Sequence, residues 1–223
     1  PFVFHVPWND TKPSYLINKY GSSRINLIRT PKPIKGTLAV LLEQFKDDDW
    51  VFWAQDDKYI INYDHTLKPG LLMESYYGKL IHHIYESVTN NSLPEDVTNV
   101  MITYNHKIRK RVDTKDIRLV GGVPFYRKKR YWNLYQPQFY KSYILKDMYL
   151  HEKLSSDYLL TTRDNVDLIT GTTIKPEHGI FLTPINNYLK LGESLITGEL
   201  TSNIRYHMKR DNFIIPSKDI IPH

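Results

Sequence analysis

Trp50 to Ile61 reads WVFWAQDDKYII, and the reading of this stretch decides the fold. Trp50-Val51-Phe52-Trp53-Ala54 is an aromatic and β-branched run without polar alternation. Such a run predicts a strand covered on both faces, as in a central, largely parallel sheet. It leads into Gln55 and two adjacent carboxylates, Asp56 and Asp57. In open α/β sheets, ligands gather beyond the carboxyl ends of the strands. Two neighbouring acids repel unless their charge is neutralised. A divalent cation shared with a phosphate does this, and carboxylate oxygens are hard ligands suited to Mn²⁺ or Mg²⁺. The competing reading is a solvated turn, since acids at strand ends are common turn formers.

The segment before the strand favours the ligand reading. Lys35-Gly36-Thr37 opens KGTLAVLLEQF, in which Leu38, Leu41, Leu42 and Phe45 share one helical face. Lys46-Asp47-Asp48-Asp49 is then a polar turn. Arg24 to Arg29 (RINLIR) reads as the preceding strand, followed by a Pro-rich loop. This order, ending in Gln55-Asp56-Asp57, resembles the nucleotide-sugar half of a GT-A glycosyltransferase. There a helix that often begins at a glycine precedes a strand ending in a DxD-type metal motif, QDD among its forms. Farther back, Phe2 to Val6 reads as a first strand, Pro7 to Asp10 as its carboxyl-end loop, and Thr11 to Tyr20 as a short helix closed by Gly21. The family's further strand-loop unit at its start is missing here or compressed into Phe2 to Asp10.

Beyond the acids, Leu67 to Glu86 has helical periodicity and Val97 to Tyr104 reads as a strand. His82 and His83 are adjacent, so on a helix they point in different directions and do not suit one metal ion. The middle of the chain is basic. Lys107 to Arg111 and Arg127 to Arg130 flank Gly121-Gly122, with Tyr126, Tyr131, Trp132 and Tyr135 interleaved. Such a stretch suits phosphates and stacked bases, or the rim of a sugar site, or a pair of solvated loop edges over a core of aromatics. Tyr135 to Leu145 (YQPQFYKSYIL) resembles the segment that small bacterial and viral GT-A enzymes place after the donor half, on the acceptor side. Ile185 to Thr197 is similar to their late strand-Gly-strand hairpin, with Gly192 at the turn.

Composition sets the remaining bounds. A chain of 223 residues suits one sizeable α/β domain. With 41% hydrophobic and 24% charged residues it is neither disordered nor membranous in character, and no apolar run approaches the roughly 20 residues of a membrane span. The absence of cysteine excludes disulfides and thiolate zinc sites and fits a reducing, cytoplasmic compartment. A net charge of +6 favours anionic partners.

The resemblance therefore implies a single Rossmann-like α/β domain over 1–223, with a central, mostly parallel mixed sheet flanked by helices. Residues 1–104 would be the nucleotide-sugar half, and 105–223 the acceptor half with a basic tail. It implies a metal-dependent transfer from a nucleoside diphosphate sugar, UDP-linked, to a glycan or other hydroxyl acceptor, with Mn²⁺ or Mg²⁺ as cofactor. Asp57 would ligate the metal, aided by Asp56 and by His178, with His207 the other late histidine. Trp8, Asn9, Asp10, Lys35, Gln55 and Asp56 would bind the sugar nucleotide. Asp157 is the expected base by spacing, with Glu152 second and Asp147 third. Three other functions stay open: a DNA-modifying glycosyltransferase, a nucleotidyltransferase, and a non-enzymatic nucleic-acid-binding module.

Overall fold

In the computed structural model, residues 3–32, 34–54, 58–61, 76–102, 110–134, 136–150, 168–185, 190–193, 195–196 and 199–200 are described. The chain packs as two interleaved units, Pro1–Trp50 with Lys141–Thr170, and Val51–Tyr140 with Gly171–His223.

In the first unit, β1 (Phe4–Trp8) and β2 (Ile25–Arg29) form a parallel pair in register Phe4↔Ile25 to Trp8↔Arg29. The connection carries α1 (Tyr15–Tyr20), which ends where Gly21 takes φ +86° and its N–H bonds to Ile17 O. Helix α2 (Ile34–Leu42) packs against α4 (Ser142–Leu150), burying Leu38, Leu42, Ile144, Leu145, Met148 and Tyr149. The first residues of α4 reach the Asp47–Asp49 turn. Ser142 N–H donates to Asp49 O at 2.8 Å and Tyr143 N–H to Asp47 O at 3.1 Å. These are donors that a helix start leaves without intrahelical acceptors. Lys146 Nζ reaches Phe45 O (2.9 Å) and Asp47 Oδ1 (2.7 Å), while Asp49 Oδ2 accepts Lys46 N–H at 2.7 Å. Both Asp47 and Asp49 are thus engaged in shaping the turn that precedes the WVFW strand.

The second unit is built on a mixed six-stranded sheet in the order β3-β8-β5-β9-β7-β6. Its strands are β3 (Trp50–Trp53), β5 (Val97–Met101), β6 (Val112–Val120), β7 (Val123–Lys128), β8 (Gln138–Lys141) and β9 (Ile180–Pro184). Between β3 and β5 lie β4 (Lys58–Ile61) and α3 (Tyr76–Thr89); after β9 come β10 (Lys190–Glu193), β11 (Leu195–Ile196) and β12 (Glu199–Leu200). The α/β class and the mixed sheet agree with the sequence reading. Two features differ. Of the pairings with a described register, β5–β9 is parallel, whereas β5–β8, β6–β7 and β7–β9 are antiparallel, so the sheet is not mostly parallel. The two-residue β6–β7 turn explains one of these directly, because a tight hairpin can join only antiparallel strands. The WVFW strand, expected at the centre, stands at one end of the sheet order and is half-buried throughout. The fully buried strands are β5 and β9.

Polar residues in β5 conceal this burial from pattern reading. Asn99 Nδ2 donates to Gln138 Oε1 at 3.0 Å and to Phe139 O at 2.9 Å, and Thr98 Oγ1 donates to His178 O. Those bonds meet the demand that buried polar groups be paired. Gly192 also differs from expectation: it lies inside β10, opposite Tyr59 of β4, rather than at a turn.

Candidate functional site

The carboxyl ends of β1 and β2 gather the described nucleotide candidates. Parallel register sets Trp8 beside Arg29, whose guanidinium carbon lies 5.6 Å from the Trp8 ring centroid. The Trp8 indole N–H is buried and has no hydrogen-bond partner among the described residues. Thr30 N–H continues the pair by donating to Trp8 O at 2.8 Å. Asn9 and Asp10 follow in an exposed bend, and Asp10 Oδ2 stands 3.2 Å from Lys32 Nζ. Both partners are largely exposed, so the pair holds little energy and exchanges readily for another ion.

The next loop is fastened to the start of α2. Thr37 Oγ1 donates to Pro31 O at 2.7 Å and lies 3.4 Å from Thr30 Oγ1. Gly36 makes this approach possible, since a Cβ there would stand 2.6 Å from Pro31 Cγ. The glycine expected at the helix start is therefore a close-packing residue. Lys35, half-buried, precedes it in the first turn. A half-buried tryptophan beside an arginine, a loop with exposed charges, and a helix start bearing a lysine are suited to an anionic ligand that has a flat ring.

His178 is placed differently from the expectation of a metal ligand. It ends a short 3₁₀ turn, Pro176–His178, with its side chain in the core at 2% exposure. Its Nδ1 lies 2.8 Å from Tyr131 Oη, which also accepts Lys175 N–H at 2.9 Å, and its ring stacks on Phe181. The imidazole is a packing and hydrogen-bonding part of the core, not an open ligand. Among the described residues no group of three His, Cys, Asp or Glu side chains is arranged to hold a metal ion. Gln55, Asp56 and Asp57, and likewise Glu152, Asp157 and His207, lie outside the described residues. Asp147 lies within α4.

Two residues of the second basic run, Arg127 and Lys129, and the neighbouring Arg118 have acid partners on β6. Arg118 Nε stands 2.7 Å from Asp116 Oδ1, Arg127 Nη1 3.6 Å from Asp116 Oδ2, and Lys129 Nζ 3.7 Å from Asp113 Oδ2. The hydrogen bond from Arg118 holds the Asp116 carboxyl below its ordinary pKa. Lys128 is wholly buried; its Nζ donates to Trp132 O at 3.1 Å and lies 4.5 Å from the Trp132 ring centroid. Desolvation lowers its pKa to about 7. Alternation gave no signal for this, because Lys128 shares its face of β7 with Pro124 and Tyr126, which are only half-buried.

Gln138, from the YQPQF segment, is a structural clamp that the sequence reading missed. Its Nε2 lies within hydrogen-bond distance of the carbonyls of Asn133 (2.9 Å), Leu134 (3.2 Å) and Gln136 (3.0 Å), which share its two hydrogens. It shapes the loop before β8, in which Asn133 takes a positive φ of 51°. No protein-family model, curated protein or solved structure matches the chain.

Proposed function

We propose that the protein is a metal-dependent glycosyltransferase of the GT-A type that uses a nucleoside diphosphate sugar, UDP-linked. The observation that carries this reading is the group at the ends of β1 and β2: half-buried Trp8 with Arg29 over its ring, and the Thr30–Lys32 loop pinned to α2, whose first turn bears Lys35 and Gly36. Chain order supports it, because the same helix is followed by the clamped Asp47–Asp49 turn and by a strand leading into Gln55-Asp56-Asp57.

In this reading the base and ribose lie against Trp8 and Asn9, and Lys35 faces the phosphates. Asp10 gives up Lys32 to a donor group. The adjacent carboxylates of Asp57 and Asp56 have the oxygen donors that Mn²⁺ or Mg²⁺ requires. When bound, that ion offsets negative charge on the departing diphosphate. Asp56 holds ribose or sugar hydroxyls. In an inverting transfer, Asp157 or Glu152 accepts the acceptor's hydroxyl proton as the new C–O bond forms and the bond to the diphosphate oxygen breaks.

The test is thermal unfolding with UDP, GDP, CMP and ADP, each with and without Mn²⁺, on wild type, Asp57→Ala and Trp8→Ala. A ligand at a hundredfold excess over Kd stabilises the native state by about 2.7 kcal/mol. The expected result is a rise for UDP that needs Mn²⁺ and Asp57 and is reduced by Trp8→Ala. No rise with any nucleotide would make the acids a solvated turn and overturn the proposal.

A further inference from the structure

Among the described residues, β6 has a neighbouring strand on one side only. The turn joining it to β7 places Gly121 and Gly122 at φ +56° and +80°, both left-handed, between the partners Val120 and Val123. In a two-residue hairpin of this kind, the residues bracketing the turn exchange both backbone hydrogen bonds. Alternation then turns the N–H and C=O of Leu119 and Ile117 away from β7.

The side chains on this edge are also open. Ile117 is 50% exposed and Leu119 66%, and their cross-strand partners Tyr126 and Pro124 are half-buried. Proteins usually guard such an edge with a charge, a proline or a bulge. In β6, the register shift and Lys115 guard the first half, while between the exposed Ile117 and Leu119 stands one charge, Arg118, which is already paired with Asp116.

We propose that β6 docks a second copy of this chain, the two strands pairing antiparallel about a two-fold axis at Ile117. In that register Asp116 faces the partner's Arg118 and Arg118 faces the partner's Asp116, while Lys115 faces the partner's Leu119. Registers centred on Lys115, Asp116 or Arg118 would each set like charges directly opposite, which is unfavourable. This self-complementarity favours a second copy over an arbitrary extended peptide. The Asp116 ion pairs are partly exposed, so sharing them between copies costs little. Pairing over Lys115 to Leu119 is short of a standard interface, so the dimer is weak and depends on concentration.

The test uses the full chain, which contains no cysteine. Ile117→Cys places two thiols across the axis with Cα atoms about 5.5 Å apart, within disulfide reach. The corresponding separation for Leu119→Cys is about 14 Å along the strands. Under mild oxidation Ile117→Cys is expected to link into dimers at least about tenfold faster than Leu119→Cys. Sedimentation equilibrium should show a concentration-dependent wild-type dimer, weakened by Asp116→Arg and restored when Arg118→Asp is added. Equal linking at the two positions, or a monomer at every concentration, would overturn the proposal.

Discussion

Replacing Lys128 by methionine should make the protein more stable, and by an amount that shrinks as pH rises. The amine is 2% exposed, has the Trp132 carbonyl at 3.1 Å, and lies 4.5 and 5.4 Å from the Trp132 and Phe181 ring centroids. Burial lowers its pKa from 10.5 to about 7. Between those values the unfolded chain holds a proton that the folded chain has released. Stability therefore rises with pH through that window and is lost as pH falls through about 7. At about 1.4 kcal/mol per pH unit, the buried amine costs the native state about 5 kcal/mol at pH 5, about 4 at pH 7 and about 2 at pH 9. Lys128→Met keeps an unbranched stem between the rings and removes the titration. It also removes one hydrogen bond to the Trp132 carbonyl, worth about 1 kcal/mol. The variant should thus exceed wild type by about 3 kcal/mol at pH 7 and by about 1 at pH 9. Urea unfolding across this range measures the difference, with the m-value as a check that the unfolded state is unchanged. Other titrating groups cancel between the two proteins. Parallel stability curves for wild type and variant would mean that the amine keeps its ordinary pKa, and the reasoning from burial would fail.

The β6–β7 turn and the loop before β8 provide two further tests. Gly121→Ala should cost about 2–4 kcal/mol, because its φ is left-handed and a Cβ would stand 2.6 Å from His83 Cβ; Gly122→Ala, with nothing within 4 Å, should cost about 1–2 kcal/mol from the backbone alone. Equal melting temperatures for the two variants would refute the steric part. Gln138→Leu should cost about 2–5 kcal/mol by leaving the Asn133, Leu134 and Gln136 carbonyls and the Asn99 amide short of a partner. Hydrogen exchange should report the loosening first across 133–138, and protection unchanged there would show that the loop does not depend on the clamp.

The elements that the sequence made legible are those set by local rules. Periodicity located α2 and β5, and Gly21 marked the end of α1. The order of strands was not legible, because it depends on partners distant in the chain. Val97-Thr98-Asn99-Val100-Met101 contains two polar residues and lies in the interior of the sheet, since Asn99 meets Gln138 and Thr98 meets the His178 carbonyl. Trp50-Val51-Phe52-Trp53 has none and stands at the end of the sheet order.

The same long-range pairing separates site candidates that look alike in sequence. His178 and Lys128 carry chemistry suited to a site, but the fold already engages both in the core, the first with Tyr131 and the second with the Trp132 carbonyl. Asp47, Asp113 and Asp116 have basic partners within a few ångströms. Trp8, Asn9, Asp10 and Lys35 are not consumed in this way: they lie on a bend and a helix start, half-buried or exposed, and the only ion pair described among them is Asp10 with Lys32. A residue whose bonds are already made inside a core must break them to bind a ligand, whereas Asp10, at the end of a parallel strand pair, has only water and an exposed ion pair to displace. Under the proposed function, that energetic difference favours the Trp8–Lys35 group over His178 as the donor-binding place.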